Sequence, residues 1–250
     1  MFTDTLFSKV TFKSGNRCAQ VFVTRADFTR VYPMKKKSQA HEALDLLHHQ
    51  VGVPAVMIPD GAKELTSGDF AKKSRKAGSY LHPIEAYTPN HNRAESAVRE
   101  LKSADRRNRR HSGSFPEYWD HSMELSALIR SHTALDLYDL QGQTPEAHLT
   151  GDTPDISHLS EFGWWDFVWY INPKDATGEI RNLGKYLGPA SDVGQALCAK
   201  ILTEKGDYVS RTSVFPLSLE DENSPVVKEQ KESFIQSVKD HLKSPCDLKT

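Results

Sequence analysis

Three β-rich runs open the chain, and the connections between them are too short for anything but turns. The pattern predicts strands over 5–12, Cys18–Thr24 and Thr29–Met34, with Lys13-Ser14-Gly15-Asn16 as a hairpin turn. Strands this close in sequence pair as an antiparallel meander. A helix follows, capped by Ser38, with Ala40, Ala43, Leu44, Leu47 and Val51 at helical spacing; Gly52 and Pro54 stop it. Ala55–Ile58 is apolar without alternation, the mark of a strand buried on both faces. A short basic helix over Gly68–Gly78, a strand over Tyr80–Ala86, a helix from about Asn92 to Arg110 and another opened by Pro116 complete an order βββαβαβαα. A meander followed by alternating helices and strands predicts a mixed sheet flanked by helices over 1–140.

The texture then changes. Residues 141–158 are rich in Gly, Pro, Thr and Asp and read as a linker. Over 159–217, short runs predict a small all-β module: an aromatic stretch at Phe162–Ile171, then strands at Ile180–Leu187, Ala196–Thr203 and Tyr208–Phe215, with Lys205-Gly206-Asp207 as a tight turn. Trp165, Phe167, Trp169 and Ile171 fall on one strand face and are expected to form this module's core; Trp164, Trp165, Trp169 and Tyr170 also have the chemistry to stack on bases. The charged tail, 218–250, reads as one amphipathic helix through Val227, Phe234, Ile235, Val238 and Leu242.

Composition narrows the function classes. The 250 residues are 38% hydrophobic and 26% charged, which excludes a wholly disordered chain. No apolar run is long enough to span a bilayer, no signal peptide is legible at the start, and Cys18, Cys198 and Cys246 are too few and too scattered for a disulfide framework or a cysteine zinc site. The net charge of −1 conceals a division: residues 1–150 hold 21 Lys and Arg against 17 Asp and Glu, while 151–250 hold 11 against 16. Between 63 and 110 there are 12 basic and 6 acidic residues, a zone suited to a polyanion or to a solvated charged face. Lys35-Lys36-Lys37 and Arg106-Arg107-Asn108-Arg109-Arg110 read either as nuclear-import signals or as solvated surface. The eleven histidines, among them His48, His49, His82, His91, His111 and His121, lack metal-site spacing and read as surface or helix-face residues.

Three acids stand out by placement. Asp4 opens the first strand, Asp60 follows the buried strand, and Glu95 sits in the first turns of a helix. Taken singly they read as a strand-end acid, an Asp-Gly turn and a helix-start charge. Together, carboxylates at strand ends and on a crossing helix can meet at one sheet edge, where oxygen donors suit Mg²⁺ or Mn²⁺. Arg99, Lys102 and Arg106 follow Glu95 at spacings that align them beside it on the helix, where phosphates would lie or where Glu95 itself partly neutralises them.

The surrounding residues carry a resemblance. Phe2-Thr3-Asp4-Thr5, Pro59-Asp60-Gly61-Ala62-Lys63-Glu64 and Tyr87-Thr88-Pro89-Asn90-His91-Asn92-Arg93-Ala94-Glu95 resemble the acid-bearing motifs of the DDE integrase core in copia-type retrotransposon polyproteins. Thr144-Pro145-Glu146-Ala147-His148-Leu149-Thr150-Gly151 and Pro154-Asp155-Ile156-Ser157-His158-Leu159 are similar to segments that follow that core, and residues 184–215 to the small barrel after it. The likeness spans about 1–217. It implies a ribonuclease-H-like fold with an appended Src-homology-3-like barrel, and Asp4, Asp60 and Glu95 as a catalytic, metal-binding triad for Mg²⁺ or Mn²⁺, two ions acting during catalysis. It further implies DNA contacts from Asn92, Arg93, Arg99, Lys102 and Arg106, with Asn92 either touching DNA or supporting the helix start. The implied reaction is metal-dependent transfer of element DNA 3′ ends to double-stranded target DNA by a homo-oligomer, in the nucleus after passage through the cytoplasm, without a membrane. Departures accompany it. Asn92-Arg93-Ala94-Glu95 is one residue shorter than the family's pattern, so 34 residues rather than about 35 separate Asp60 from Glu95; Phe162-Gly163-Trp164-Trp165 replaces its F-G-C; its zinc module is not found in the sequence. A nuclease on the same fold and a catalytically inactive nucleic-acid-binding relic are the alternatives.

Overall fold

The computed structural model describes residues 1–10, 15–84, 92–173, 180–190, 193 and 198–243. Thr11 and Phe12 of the first expected strand, Lys13 and Ser14 of the expected turn, Tyr87–His91 of the third acid-bearing motif, Glu85 and Ala86 of the strand expected over Tyr80–Ala86, and Cys246 lie outside them. The chain divides into two compact units, Met1–Arg109 with Phe115–Pro154 and Arg110–Ser114 with Asp155–Thr250.

In the first unit, strands β1 (Phe2–Phe7), β2 (Cys18–Val23) and β3 (Thr29–Met34) form the antiparallel meander, and β4 (Val56–Pro59) and β5 (Tyr80–Leu81) add on in parallel, in the order β3-β2-β1-β4-β5. Helices α1 (Ala40–Gln50), α2 (Lys63–Thr66), α3 (Asp69–Lys76), α4 (Arg93–Ser112), α5 (Trp119–His132) and α6 (Pro145–Thr150) complete it. The result is the mixed sheet flanked by helices that the element order predicts.

Strand parity divides the core. Ala19, Val21 and Val23 of β2 face one way, packing with Leu6 against Ala94, Ala97, Val98 and Leu101 of α4 and Trp119, Met123 and Ala127 of α5. Cys18 and Phe22 face the other way, toward Ala40, Ala43, Leu44 and Leu47 of α1 and Leu65 and Phe70. Each fully buried Val, Leu, Phe or Met among them contributes about 1.5–3 kcal/mol. The polar residues of the second face satisfy one another: Gln20 Nε2 donates to Thr3 Oγ1 (2.6 Å), Thr5 Oγ1 to Gln20 Oε1 (2.9 Å) and Thr3 Oγ1 to the Val21 carbonyl (2.9 Å).

Several boundaries differ from expectation. β1 begins at Phe2, so Asp4 lies inside the strand, because pairing with β2 from Phe2↔Val23 to Phe7↔Cys18 sets its span. A 3-10 turn, Lys37–Gln39, precedes α1, and Gln39 Oε1 rather than Ser38 accepts the free amides of Lys35 and Lys36 (3.0 and 3.1 Å). The stretch read as a linker holds α6, capped by Thr144 Oγ1 on the Ala147 amide (3.1 Å) and ended by Gly151 at φ 86, together with α7 (Ser157–Ser160); the two units divide between Pro154 and Asp155. His121, read as a surface or helix-face residue, is buried, its Nδ1 lying 3.4 Å from Glu124.

The second unit is an all-antiparallel sheet of β6 (Phe167–Ile171), β7 (Arg181–Pro189), β8 (Ala199–Leu202), β9 (Tyr208–Arg211) and β10 (Val214–Pro216), ordered β10-β6-β7-β8-β9, with α8 (Leu219–Asn223) and α9 (Pro225–Lys243). The run Tyr208–Phe215 is thus two strands, not one. Only Thr212 and Ser213 separate them, yet β9 and β10 stand at opposite ends of the strand order. In a flat sheet they would lie about 19 Å apart, whereas that link reaches roughly 10 Å. The sheet therefore curls on itself.

The expected core face of β6 is reversed. Val168 and Tyr170 pack with Tyr186, Ala199 and Ile201, while Phe167 and Trp169 meet the C-terminal helices: Phe167 lies edge-on to Phe234 (5.7 Å) and Trp169 Nε1 donates to Asp221 (3.1 Å). Both faces of β6 are covered, so aromatic residues mark the helix-facing side. Trp165 precedes the strand at φ 70, with its carbonyl accepting from the buried Lys185 ammonium (2.7 Å). Burial lowers that lysine to about 8, against the nearby Asp166 charge that raises it.

Candidate functional site

β1 and β4 run parallel with Phe2 opposite Ile58 and Thr3 opposite Pro59. One further step places Asp4 beside Asp60, and the Asp60 amide donates to the Thr3 carbonyl (3.3 Å), carrying the ladder to that point. Asp4 shares its strand face with Phe2 and Leu6, the side that packs on α4. Glu95 belongs to the first turn of α4. Alternation in β1 and the parallel register with β4 thus bring Asp4 and Asp60 together at the carboxyl end of β4, and the start of α4 sets Glu95 near enough for its charge to act on Asp4.

Backbone amides orient the two aspartates. Thr5 N donates to Asp4 Oδ1 (2.7 Å), and Ala62 N to Asp60 Oδ1 (2.9 Å), a turn that makes Asp60-Gly61 more than a connector. Burial raises the Asp4 carboxyl to about 6. The Asp60 charge and a carboxyl–carboxyl hydrogen bond push the same way, the Thr5 amide opposes them, and the Glu95 charge adds a smaller rise. Among the described residues, the ion pairs of α4 and the neighbouring turn join Arg93 to Asp27, Arg130 to Asp27 and Glu100, Arg109 to Asp105 and Arg25 to Asp139, and none reaches Asp4, Asp60 or Glu95. Among the described residues, the cluster is one of carboxylates whose charges oppose one another with no cationic side chain paired to them, a donor chemistry that fits a hard divalent cation. Among the described residues, however, no three His, Cys, Asp or Glu side chains stand at metal-ligating spacing. Asp4 and Asp60 adjoin; Glu95 reaches Asp4 through its charge.

The other expected site residues lie on or beside α4. Asn92 Oδ1 accepts from the Ala94 amide (3.0 Å) and its carbonyl from Glu95 N (3.2 Å), so Asn92 supports the helix start. Arg93 is engaged within the protein, donating to the Arg25 carbonyl and lying 3.8 Å from Asp27. Arg99, Lys102 and Arg106 are exposed, with Arg106 Nε donating to the Lys102 carbonyl (3.2 Å). At 100° per residue they fall within about 40° of the Glu95 direction. Farther along, Arg109 pairs with the buried Asp105 at 2.8 Å, so that part of the basic run is internal structure. Of the earlier lysine run, Lys37 pairs with Glu64.

Nothing local in the sequence marks Asp27 or Arg130, or Glu100 as their partner. Arg130 Nη2 donates to Asp27 (3.0 Å) and Nη1 pairs with Glu100. The available signal was an acid in the turn between β2 and β3, which does not reveal a partner about a hundred residues away.

No family model matches the chain, and no curated protein does. A solved structure, the simian T-cell lymphotropic virus intasome in complex with PP2A regulatory subunit B56 gamma, aligns with 87% of this chain and 81% of its own at 12% identity and a TM-score of 0.45. Likeness at this level assigns no residue role and no activity here.

Proposed function

We propose that this chain is an integrase-type polynucleotidyl transferase, joining 3′-hydroxyl ends of element DNA to double-stranded target DNA with Mg²⁺ or Mn²⁺. On this reading the first unit is a ribonuclease-H-like core and the second a Src-homology-3-like barrel. The observation that carries it is the meeting of Asp4 and Asp60 on adjacent parallel strands with the Glu95 charge acting on Asp4. The co-linear acid motifs support it independently.

Asp4, Asp60 and Glu95 would hold the cation. Bound there, one or two ions would stabilise the charge on the attacking and leaving oxygens of an in-line displacement. The backbone amides of Thr5 and Ala62 fix the two aspartates so that little reorganisation is left to the reacting complex. Arg99, Lys102 and Arg106 would bind the phosphate backbone alongside, and Asn92 would hold the helix start that carries Glu95. Action on paired DNA ends requires more than one copy, and a nuclear site of action follows from the substrate. No helix among the described residues is long and apolar enough to cross a membrane.

A second reading, an inactive nucleic-acid-binding relic, is favoured by one observation: Glu95 does not close a metal-ligating set with the aspartates. The two separate in an assay that joins a labelled duplex end to a plasmid with Mn²⁺. Joined product supports the transferase; hydrolysed ends alone indicate a nuclease; salt-sensitive binding without either product indicates the relic.

A further inference from the structure

The turn between β2 and β3 holds an acid in a strained place. Asp27 has φ 63, a conformation few side chains adopt, and its side chain is largely buried. The turn is tied down locally: Asp27 N donates to the Thr24 carbonyl (3.2 Å), Phe28 N to Thr24 Oγ1 (3.1 Å) and Thr29 Oγ1 to the Asp27 carbonyl (2.9 Å). From this anchored turn Asp27 reaches two helices. Its Oδ2 accepts from Arg130 of α5 at 3.0 Å, and its Oδ1 lies 3.8 Å from Arg93 at the start of α4. Arg130 in turn pairs with Glu100, and Arg93 also donates to the Arg25 carbonyl of the same turn.

Arg93 and Glu100 are seven residues apart, two helical turns, so they share one face of α4. Glu95 lies roughly 140–200° round the helix from them. The network therefore grips α4 at two levels on the side away from Glu95. The core contacts nearest the start of the helix do little to resist a roll about its axis, because they are Ala94 and Ala97, which present no long side chain to interlock. A roll of about 20° would carry a carboxylate held roughly 6 Å from the axis through about 2 Å. A metal ligand tolerates on the order of 0.5 Å.

We infer that Asp27, with Arg93, Arg130 and Glu100, is a positioning device that sets the rotation of α4 and so aims Glu95 at the Asp4–Asp60 pair. This rests on the triad reading above. Asp27 touches none of the reacting groups. Its role is to limit how far the third carboxylate can swing from the Asp4–Asp60 pair, so that a cation bound by the two aspartates can draw it in.

The test is Mn²⁺ binding by the whole chain, followed by electron paramagnetic resonance, with no DNA and no turnover. Asp27→Asn keeps the shape and the tolerance for the left-handed backbone while removing the charge; Glu100→Gln, at a half-exposed position, cuts the far arm of the network and guards against a fold that fails with the first variant. The expected result is Mn²⁺ affinity about tenfold weaker for Asp27→Asn and about threefold weaker for Glu100→Gln, with thermal midpoints showing both chains folded at the assay temperature. Wild-type affinity in both folded variants overturns the positioning role and leaves the triad standing. A wild-type chain that binds no Mn²⁺ overturns the triad and the positioning role together.

Discussion

Replacing Asp4 by Asn should make the protein more stable at neutral pH. The substitution preserves size and an oxygen to accept from the Thr5 amide, and removes a charge that Asp60 and Glu95 oppose. The rise of the Asp4 carboxyl from its ordinary 3.8 to about 6 corresponds to about 3 kcal/mol at roughly 1.4 kcal/mol per pH unit. Asp4 is partly open to solvent, and screening reduces this to roughly 1–2 kcal/mol. The sign follows from linkage. A carboxyl raised in the folded state leaves the unfolded chain better able to ionise, so the cost is in force above pH 6, shrinks as pH falls toward 4, and vanishes below it. Thermal unfolding at pH 8 should therefore show Asp4→Asn melting about 2–8 °C above wild type, with the gap closing by pH 4. Millimolar Mg²⁺ should narrow the gap at pH 8 by raising the wild-type midpoint more than the variant's. A variant less stable than wild type at pH 8, or a gap of equal size at pH 8 and pH 4, would refute the repulsive cluster.

Two further substitutions probe other parts of the account. Gly184 lies in β7 where an added Cβ would collide with Ile201 Cγ2 and sit 3.0 Å from the Leu202 carbonyl, so Gly184→Ala should destabilise the second unit by about 1–3 kcal/mol in denaturant unfolding; an unchanged midpoint would contradict the close approach of β7 and β8. Joint replacement of Arg99, Lys102 and Arg106 by Gln should flatten the slope of log affinity against log salt for duplex DNA by about 2–3, measured by fluorescence anisotropy, and an unaltered slope would remove that face of α4 from the interface.

Local pattern made parts of this fold legible and missed others for identifiable reasons. β3 spans the residues its β-rich run predicts, and the apolar spacing of α1 names its buried residues, because in both cases one face carries the whole signal. β1 and β6 went differently. The start of β1 is decided by its pairing with β2, and its own composition does not reveal that Phe2 has a partner. In β6, aromatic residues mark the side covered by α8 and α9, and alternation cannot say which of two covered faces is the sheet's own core. The split of Tyr208–Phe215 depends on the sheet curling, which no window of a few residues encodes.

The acids illustrate the same limit. Neither Asp4 nor Asp60 differs locally from an ordinary strand or turn acid; it is motif context, and then the parallel register of β1 and β4, that sets them side by side. Asp27 and Arg130 are 103 residues apart and belong to elements that periodicity treats separately. Their pairing emerges only once the meander and α5 are packed.

The most direct measurement compares wild type and Asp60→Asn in joining a labelled 3′-hydroxyl duplex end to plasmid DNA, with Mn²⁺ and with chelator, alongside DNA binding of both proteins. The account predicts joined product from wild type only with the metal, its loss in the variant by at least a hundredfold or so, and similar DNA affinity for both. Equal joining by Asp60→Asn, or joining undiminished in chelator, would contradict it.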